Sequence, residues 1–208
     1  MKHPNHMSDE ELREYSDRHL AYEVDMLRWS GSILYAYVPP PVGIPPAENP
    51  LKKPTSNAFL ESFAIHARNL IDFLYLRNHY RNDRPTDVLL EDYLGGELPP
   101  QSLPAITPLL QNAKKMADKQ VAHLASNRLL YGVMDRAWAF TLIYADITTA
   151  LRAVLPLLPD QRVAPSLRDI LSPAIAPFLS IQADAFHDEA GEAIGIMLYK
   201  KPPLFAAA

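Results

Sequence analysis

Two stretches of the chain carry polar side chains whose types and spacing could do chemistry. The first, residues 57–84, sets a histidine, an arginine, an asparagine and an aspartate inside an apolar pattern. The second, residues 114–128, carries a lysine, a histidine and an asparagine on neighbouring turns. Histidine titrates near neutral pH, and arginine and lysine can hold an anion. We therefore predict a polar site between the two stretches, with these residues as candidates: His66, Arg68, Asn69, Asp72, Lys119, His123 and Asn127.

The same residues also have a structural explanation, and the sequence leaves both explanations open. Arg68 and Asp72 are four apart, so on a helix they could form a solvated ion pair. His66 and His123 each border an apolar stripe, where a histidine is more often a hydrogen-bonded core residue than a catalyst. On this hypothesis the chain is a purely structural interaction module.

Metal and cofactor sites are not predicted. The chain has no cysteine, which excludes thiolate ligands. Glu61, His66, Asp72 and Glu91 could be combined into a metal centre, but the paired Glu-x-x-His spacing of di-metal bundles is absent. A further cluster pairs three arginines with two tyrosines, a mixture that could hold phosphates and stack bases: Arg77, Arg81, Arg84, Tyr75 and Tyr80. A hydrated helix end is the favoured explanation of that cluster.

The elements that must position these residues have helical periodicity. Ser8 and Glu11 form a capping-box pattern that starts a helix over residues 8–37. Its apolar stripe follows at spacings of three and four: Leu12, Tyr15, His19, Tyr22, Met26, Trp29, Ile33 and Tyr37. Residues 38–56 form a Pro-rich loop, since residues 38–50 hold six prolines in thirteen positions.

A central helix is expected next, with Ser56 or Asn57 as its cap and residues 83–85 at its end. Its predicted buried stripe is Leu60, Phe63, Ala64, Ala67, Leu70, Ile71 and Leu74. A short segment over residues 87–94 follows. Another stripe continues towards residue 128: Ile106, Leu109, Leu110, Ala113, Ala117, Val121 and Leu124.

The last long helix is predicted over residues 133–158, and its apolar circumference suggests the most central position in the bundle. A shorter helix is expected near residues 166–171. Residues 193–199 could form a helical turn or a lone strand. The prediction is thus one all-α domain over residues 1–208, with a core bundle over 57–158, a C-terminal extension over 159–208 and short C-terminal helices.

Composition is that of a globular protein without a strong charge bias. The 208 residues are 48% hydrophobic and 21% charged, with a formal net charge of −4. No global basic field therefore indicates nucleic-acid binding, although a local patch remains open. The polar N-terminus lacks the apolar core of a signal peptide, and no apolar run approaches the roughly 20 residues of a membrane span. We expect a cytoplasmic protein with no membrane partner.

Three runs of the chain resemble a known group: LESFAIHARNLIDFLY, PTDVLLEDYL and ADKQVAHLASNR. They are similar to uncharacterised bacterial helical proteins related to HEPN domains (higher eukaryotes and prokaryotes nucleotide-binding), including abortive-infection relatives. The resemblance covers roughly residues 57–150. It implies an up-and-down four-helix bundle, often a homodimer in which two copies of the motif face each other.

Active HEPN ribonucleases carry an arginine, four to six residues and a histidine, and they cleave RNA without metal. The resemblance implies that His123 is the candidate catalytic acid–base residue. The arginine position then falls on Ala117, which departs from the motif and argues against catalysis. Lys119, or Arg68 from across the bundle, could replace the phosphate clamp. Arg13 and His19 match the spacing literally, but about one such match is expected by chance, and this one lies outside the resembling region.

The leading hypothesis is therefore a HEPN-like, non-catalytic protein that binds RNA, a nucleotide or a partner protein, and forms a homodimer. The first alternative is a metal-independent ribonuclease that uses His123 with Arg68 or Lys119. The second is the purely structural interaction module. No cofactor is predicted in any of these cases.

Overall fold

The computed structural model describes residues 7–36, 52–77, 87–94, 101–121, 138–173, 181–187 and 193–200. Within these ranges most residues are helical, which confirms the predominantly helical character that the apolar periodicity predicts. The α-helices are α1 Asp9–Tyr15, α2 Ala21–Ala36, α3 Lys52–Tyr75, α4 Leu90–Leu94, α5 Pro108–Met116, α6 Phe140–Val154 and α7 Pro165–Ile170. Two π-helical turns continue α1 and α5: the first over Ser16–Leu20 and the second over Ala117–Val121.

The first helical run begins at the predicted capping box. The Ser8 backbone N–H donates to Glu11 Oε2 at 2.6 Å, and the Glu11 N–H donates to Ser8 Oγ at 3.2 Å. The run continues through the first π-helical turn to Ala36. Its buried positions are Leu12, Ser16, Leu20, Ala21, Val24, Leu27, Ser30, Gly31, Ser32 and Ile33.

This buried face differs from the predicted stripe. Tyr22 is 53% exposed and His19 is also exposed, although both were assigned to the stripe. The π-helical turn explains the difference, because it holds more residues per turn than an α-helix and delays the return to the buried face. From Leu12 to Val24, buried positions accordingly recur every four residues.

Helix α3 is the central helix of the described structure. It packs against α2, α4, α5, α6 and the second π-helical turn. Its predicted stripe is confirmed, because all but the half-buried Leu60 are buried: Phe63, Ala64, Ala67, Leu70, Ile71 and Leu74. The prediction that the helix within residues 133–158 is the most central one is wrong. Leu142 of α6 is 59% exposed, and Thr141, Ala145 and Thr149 lie on the same open face.

The bounds of α3 differ from the prediction at both ends. It begins at Lys52 and not at a cap on Ser56 or Asn57, so residues 52–56 of the predicted loop belong to the helix. Pro54 fits there because the first turn of a helix needs no backbone N–H from it. The helix ends at Tyr75 rather than near residue 84. Arg77 Nη1 donates to the Leu76 carbonyl at 2.8 Å, which satisfies an acceptor at this end.

Helix α5 is fixed to α6 through its N-terminal cap. Thr107 Oγ1 accepts the Leu110 N–H at 3.2 Å and donates to Asp146 Oδ2 at 2.7 Å. Pro108 follows at the first helical position, where its fixed φ suits the helix. The remainder of the helix predicted up to residue 128 lies outside the described residues after Val121.

The segment after α6 packs back onto the N-terminal part of the chain. Two 3₁₀ turns, Leu155–Leu157 and Asp160–Arg162, precede α7, which agrees with the short helix predicted near residues 166–171. Arg162 Nε donates to Asp9 Oδ1 at 2.6 Å, and its Nη1 donates to the carbonyls of Asp92 at 3.1 Å and Tyr93 at 3.0 Å. One guanidinium therefore joins α1, α4 and the second 3₁₀ turn.

A two-stranded antiparallel sheet adds to the helices near the C-terminus. Strand β1, Ile181–His187, pairs with β2, Ala193–Lys200, in a register that sets Ile181 opposite Lys200 and has an irregularity between Phe186 and His187. The region predicted as a helical turn or a lone strand is therefore a paired strand. The backbone of β1 lies near α2.

One window of the described residues, Phe140–Leu157, is long and apolar enough to cross a membrane by length and composition, with a mean hydropathy of 1.3. The window is 18 residues long and contains Asp146 and Arg152, so it is not an uninterrupted apolar run of about 20 residues. The core helix of a globular protein passes the same test, and α6 buries a regular face through Ile143, Ile147, Ala150, Leu151 and Val154.

Candidate functional site

The predicted polar residues of α3 separate into two groups that face different helices. The first group meets a carboxylate on α2. His66 Nδ1 lies 2.7 Å from Glu23 Oε2, and Asn69 Nδ2 donates to both oxygens of Glu23 at 3.3 and 3.2 Å. We call Glu23, His66 and Asn69 the Glu23 cluster. Because both α3 residues contact one carboxylate, the cluster fixes α2 against α3.

His66 has the surroundings of a structural residue. It is only 9% exposed, and the ring of Tyr22 packs against it edge to face with centroids 5.6 Å apart. Burial of a polar ring is tolerated when its nitrogen has a hydrogen-bond partner, and Glu23 supplies one. These contacts fit the structural explanation of His66 given by the sequence, although the partner is a side chain on another helix.

The second group of α3 residues meets α5 and the second π-helical turn. Arg68 Nε pairs with Asp118 Oδ1, and Lys114 Nζ pairs with Asp72 Oδ1. Lys114 Nζ also lies 3.9 Å from Asp118 Oδ2. We call these four residues the α3–α5 ion-pair cluster, and its two positive and two negative side chains compensate each other. Asp72 is only 7% exposed. The prediction that Arg68 and Asp72 form a solvated ion pair is therefore wrong, because the Asp72 side chain is buried.

The second π-helical turn packs against α3, and the first leads into α2, which also packs against α3. The first ends three residues before Glu23, and the second contains Asp118. A π-helical turn changes the angular position of the residues that follow it, and such turns are frequent at functional sites. Here the Glu23 carboxylate follows the first turn, and the Asp118 carboxylate lies in the second.

A cleft of about 470 Å³ opens next to these clusters. It lies between the first helical run, α3 and the segment before α4. The lining residues are Tyr15, His19, Leu20, Glu23, Arg68, Asn69, Leu70, Asp72, Phe73, Asp87, Val88 and Leu89. The volume is in the range of small-ligand sites, and the walls combine apolar side chains with a few charged ones, as such sites do.

The Tyr15 end of the cleft is acidic. Burial raises the pKa of the Tyr15 hydroxyl, and the negative charges of Glu23 and Asp87 raise this pKa further. The phenol therefore stays protonated at neutral pH. The ring of His19 is tilted over Tyr15 with centroids 4.7 Å apart, which places an imidazole at the same end.

Of the three remaining residues of the predicted polar site, Lys119 falls within the described residues. Lys119 lies in the second π-helical turn and is exposed. His123 and Asn127 are outside the described residues, and so are Arg81 and Arg84 of the basic cluster. Whether His66 meets His123 therefore stays a prediction. Arg13 lines a separate, smaller cleft with Glu10, Glu14, Asp17 and Arg18, away from the cleft that His19 lines.

The sequence interpretation missed five residues of the site: Tyr15, Glu23, Asp87, Lys114 and Asp118. Glu23 lies 43 positions from His66, and no short-range pattern connects them. Lys114 and Asp118 gave a detectable signal, since an i,i+4 lysine–aspartate pair lies in the stretch already suspected to face α3. Within the described ranges, no group of three histidine, cysteine, aspartate or glutamate residues is arranged to hold a metal ion.

Comparisons with known proteins do not assign the site. No family model, curated protein sequence or solved structure gives a significant match to this chain. The resemblance to HEPN-related proteins stays a hypothesis carried by the three sequence runs.

Proposed function

We propose that this chain is a HEPN-like four-helix bundle that binds a partner without catalysing a reaction. In this proposal the first helical run, α3, α5 with its π-helical extension, and α6 are the four up-and-down helices. The bundle forms a homodimer in the cytoplasm. The cleft lined by Tyr15, Glu23 and Asn69 is the binding site.

The observation that carries the proposal is the pairing of the polar residues on α3. His66, Arg68, Asn69 and Asp72 each contact a charged side chain on another helix. A catalytic base must reach a substrate proton, and a phosphate clamp needs donors directed at the substrate. These side chains instead hold helices together, while Arg68, Asn69 and Asp72 also form part of the cleft wall.

The position aligned with the ribonuclease arginine supports a non-catalytic function. Ala117 is only 2% exposed and faces the core at the start of the second π-helical turn. A guanidinium at this position would be desolvated, which is costly without a compensating partner. In this alignment the chain therefore has an alanine in place of the arginine, and this position is buried.

The charges of the cleft favour a partner protein over RNA as the ligand. Its lining contains three carboxylates, from Glu23, Asp72 and Asp87, and one guanidinium, from Arg68. RNA-binding grooves are positively charged because they must neutralise phosphates. A negative lining repels phosphate and suits a basic protein segment.

Binding of a nucleotide or RNA is the second candidate, and it has one specific observation in its favour. Arg68, His19 and the Tyr15 ring line the same cleft, which combines a guanidinium with an aromatic surface. In this case the phosphate would lie at the Arg68 end of the cleft.

An RNA cleavage assay in chelator tests the absence of catalysis. The wild-type chain, His123→Ala and Arg68→Met are incubated with mixed-sequence RNA, and the 3′ ends of the products are analysed. We expect no difference among the three proteins. Cyclic phosphate ends that disappear in His123→Ala would establish the ribonuclease alternative instead.

Light scattering on the same samples tests the proposed homodimer, because it measures the molecular mass. The mass of a monomer would contradict the homodimer.

A further inference from the structure

We propose that residues 163–166 form a latch that holds the first π-helical turn in its register and thereby fixes Tyr15 and His19 in the cleft wall. Four residues make the latch contacts, two from the turn and two from the segment after the second 3₁₀ turn: Ser16, Asp17, Ala164 and Ser166. The effect of the latch on ligand access rests on the proposed binding function of the cleft. The latch itself is a conformational property of the fold.

The first π-helical turn separates two helices that are anchored to different extents. The Ala21 N–H donates to the Ser16 carbonyl, five residues back, where an α-helix would use the carbonyl of Asp17. Return to α-helical spacing would rotate α1 relative to α2 by roughly 100°, the angle of one residue. Helix α2 packs against both α3 and α6, whereas α1 has 7 residues and its buried residue is Leu12. The rotation would therefore move α1 and leave α2 in place.

The Ser16 hydroxyl connects the turn to the segment after α6. Ser16 is fully buried, and its Oγ accepts the Ala164 backbone N–H at 2.7 Å and donates to the Arg13 carbonyl at 2.8 Å. One residue later, the Asp17 carboxylate accepts a hydrogen bond from Ser166 Oγ. Rotation of the turn would leave the buried Ala164 N–H without this acceptor, which is unfavourable. The docked segment therefore stabilises the π-helical register.

A second contact of the same part of the chain lies at the start of α1. Arg162 Nε donates to Asp9 Oδ1 at 2.6 Å, and α7 packs against the first π-helical turn. Asp9 is the first residue of α1 and Ser16 is its C-terminal cap. Release of the segment would thus remove contacts at both ends of α1.

The turn carries part of the cleft wall on its other side. Tyr15 directly precedes Ser16 and His19 follows it by three positions, and both residues line the cleft, whereas Ser16 contacts Ala164. Glu23 of α2 is fixed separately through its contacts with α3. Opening of the latch would therefore carry Tyr15 and His19 away from Glu23. By reciprocity, a ligand that contacts Tyr15 in the docked arrangement would strengthen the latch.

Scalar couplings across hydrogen bonds test the register directly. The full chain is labelled with ²H, ¹³C and ¹⁵N, and NMR identifies the carbonyl that accepts the Ala21 N–H. Ser16→Ala removes the latch hydroxyl. Ser30→Ala is the matched control, because Ser30 is a fully buried serine of the same helical run whose hydroxyl donates to the Met26 and Leu27 carbonyls of its own helix. We expect the coupling to move from position 16 to Asp17 in Ser16→Ala and to stay at position 16 in Ser30→Ala.

Fluorine NMR of the full chain containing 3-fluorotyrosine tests the cleft wall. Tyr15→Phe and Tyr22→Phe assign the two signals, and their broadening by a soluble nitroxide is compared. Tyr22 is 53% exposed and Tyr15 is less exposed, so Tyr15 should broaden less in the wild type and in Ser30→Ala. In Ser16→Ala the broadening of Tyr15 should approach that of Tyr22. Ser166→Ala, which removes the exposed contact with Asp17, should give an intermediate broadening.

A coupling that stays at position 16 in folded Ser16→Ala would overturn the latch, because the hydroxyl would then add stability without setting the register. If Ser16→Ala does not fold, Ser166→Ala decides the question. Tyr15 broadening equal to that of the wild type would then contradict the latch, and increased broadening would support it. Neither measurement uses a ligand. Failure of the cleft to bind would therefore count against the proposed function alone, and failure of the latch would leave the proposed function standing.

Discussion

Asp72 shows how a single charged residue becomes part of the architecture. It is nearly buried in α3, and its carboxylate pairs with the Lys114 ammonium of α5. Removing one partner of a buried ion pair is destabilising, so Lys114 contributes to the stability of this region. The adjacent Lys115 lies exposed on the same helix and provides a matched comparison.

Replacing Lys114 by methionine removes the cation and keeps most of the apolar stem. We expect Lys114→Met to lower the free energy of unfolding by about 1–3 kcal/mol, and Lys115→Met to change it by no more than about 0.5 kcal/mol. Urea unfolding followed by circular dichroism measures both. Equal losses in the two variants would show that the Asp72 pair does not support the fold.

Tyr93 gives a pH-dependent prediction at the residue scale. Its buried hydroxyl donates to the Leu12 carbonyl at 2.9 Å, and burial raises the pKa of the phenol well above its ordinary value of 10.0. A raised pKa in the folded state contributes stability that is present below about pH 10 and is lost as the pH rises towards the folded-state pKa.

Tyr93→Phe should therefore lower the free energy of unfolding by about 1 kcal/mol at pH 8, through the lost hydrogen bond. It should also make stability fall less steeply than in the wild type above about pH 10. Urea unfolding at pH 8 and pH 10.5 checks both statements. Parallel pH dependence of the two proteins would contradict the assignment to Tyr93.

Helix starts and buried helix faces could be predicted from the sequence where short-range residue patterns determine them. The Ser8–Glu11 capping box and the buried stripe of α3 follow from short-range patterns, and both are present. The face of the first helical run was not predictable in this way, because the π-helical turn over Ser16–Leu20 shifts the burial spacing. Residues of normal helical propensity give no sign of such a turn.

Arg162 connects elements that are distant in sequence, and its fork geometry matters. It contacts the Asp9 carboxylate and the carbonyls at the end of α4 together. Lysine keeps the charge but lacks the planar fork, so Arg162→Lys should cost about 1–2 kcal/mol of unfolding free energy. Arg168→Lys, which alters an exposed pair with Asp160, serves as the control. Thermal unfolding measures the stability of both variants. A larger loss of stability in Arg168→Lys than in Arg162→Lys would contradict the structural role of the Arg162 fork.

For the whole molecule, the sequence predicted the predominantly helical fold and the α3 residues of the two polar clusters. His66, Arg68, Asn69 and Asp72 were identified because they interrupt an apolar stripe on one helix. Their partners Glu23 and Asp118 come from other helices, and only packing of α2 and α5 against α3 determines which residues meet. The pairing of β1 with β2 was missed for the same reason, since a strand is defined by its partner.

The central position of α3 predicts the order of local stability. Residues with many buried neighbours open only with global unfolding, whereas exposed faces open locally. Native-state hydrogen exchange should give the slowest amides in the buried part of α3, from Phe63 to Leu74, with faster exchange in α6. Slower exchange in α6 than in α3 would instead support the prediction that α6 is the most central helix.

A double-mutant cycle on Glu23 and His66 tests most directly whether the polar residues of α3 join helices. Glu23→Gln, His66→Gln and the double variant are compared with the wild type by urea unfolding. We predict a coupling energy of about 0.5–3 kcal/mol, because the two side chains lie within hydrogen-bond distance in a partly buried setting. Additive single effects, with a coupling below about 0.3 kcal/mol, would contradict the account and leave His66 available for another role.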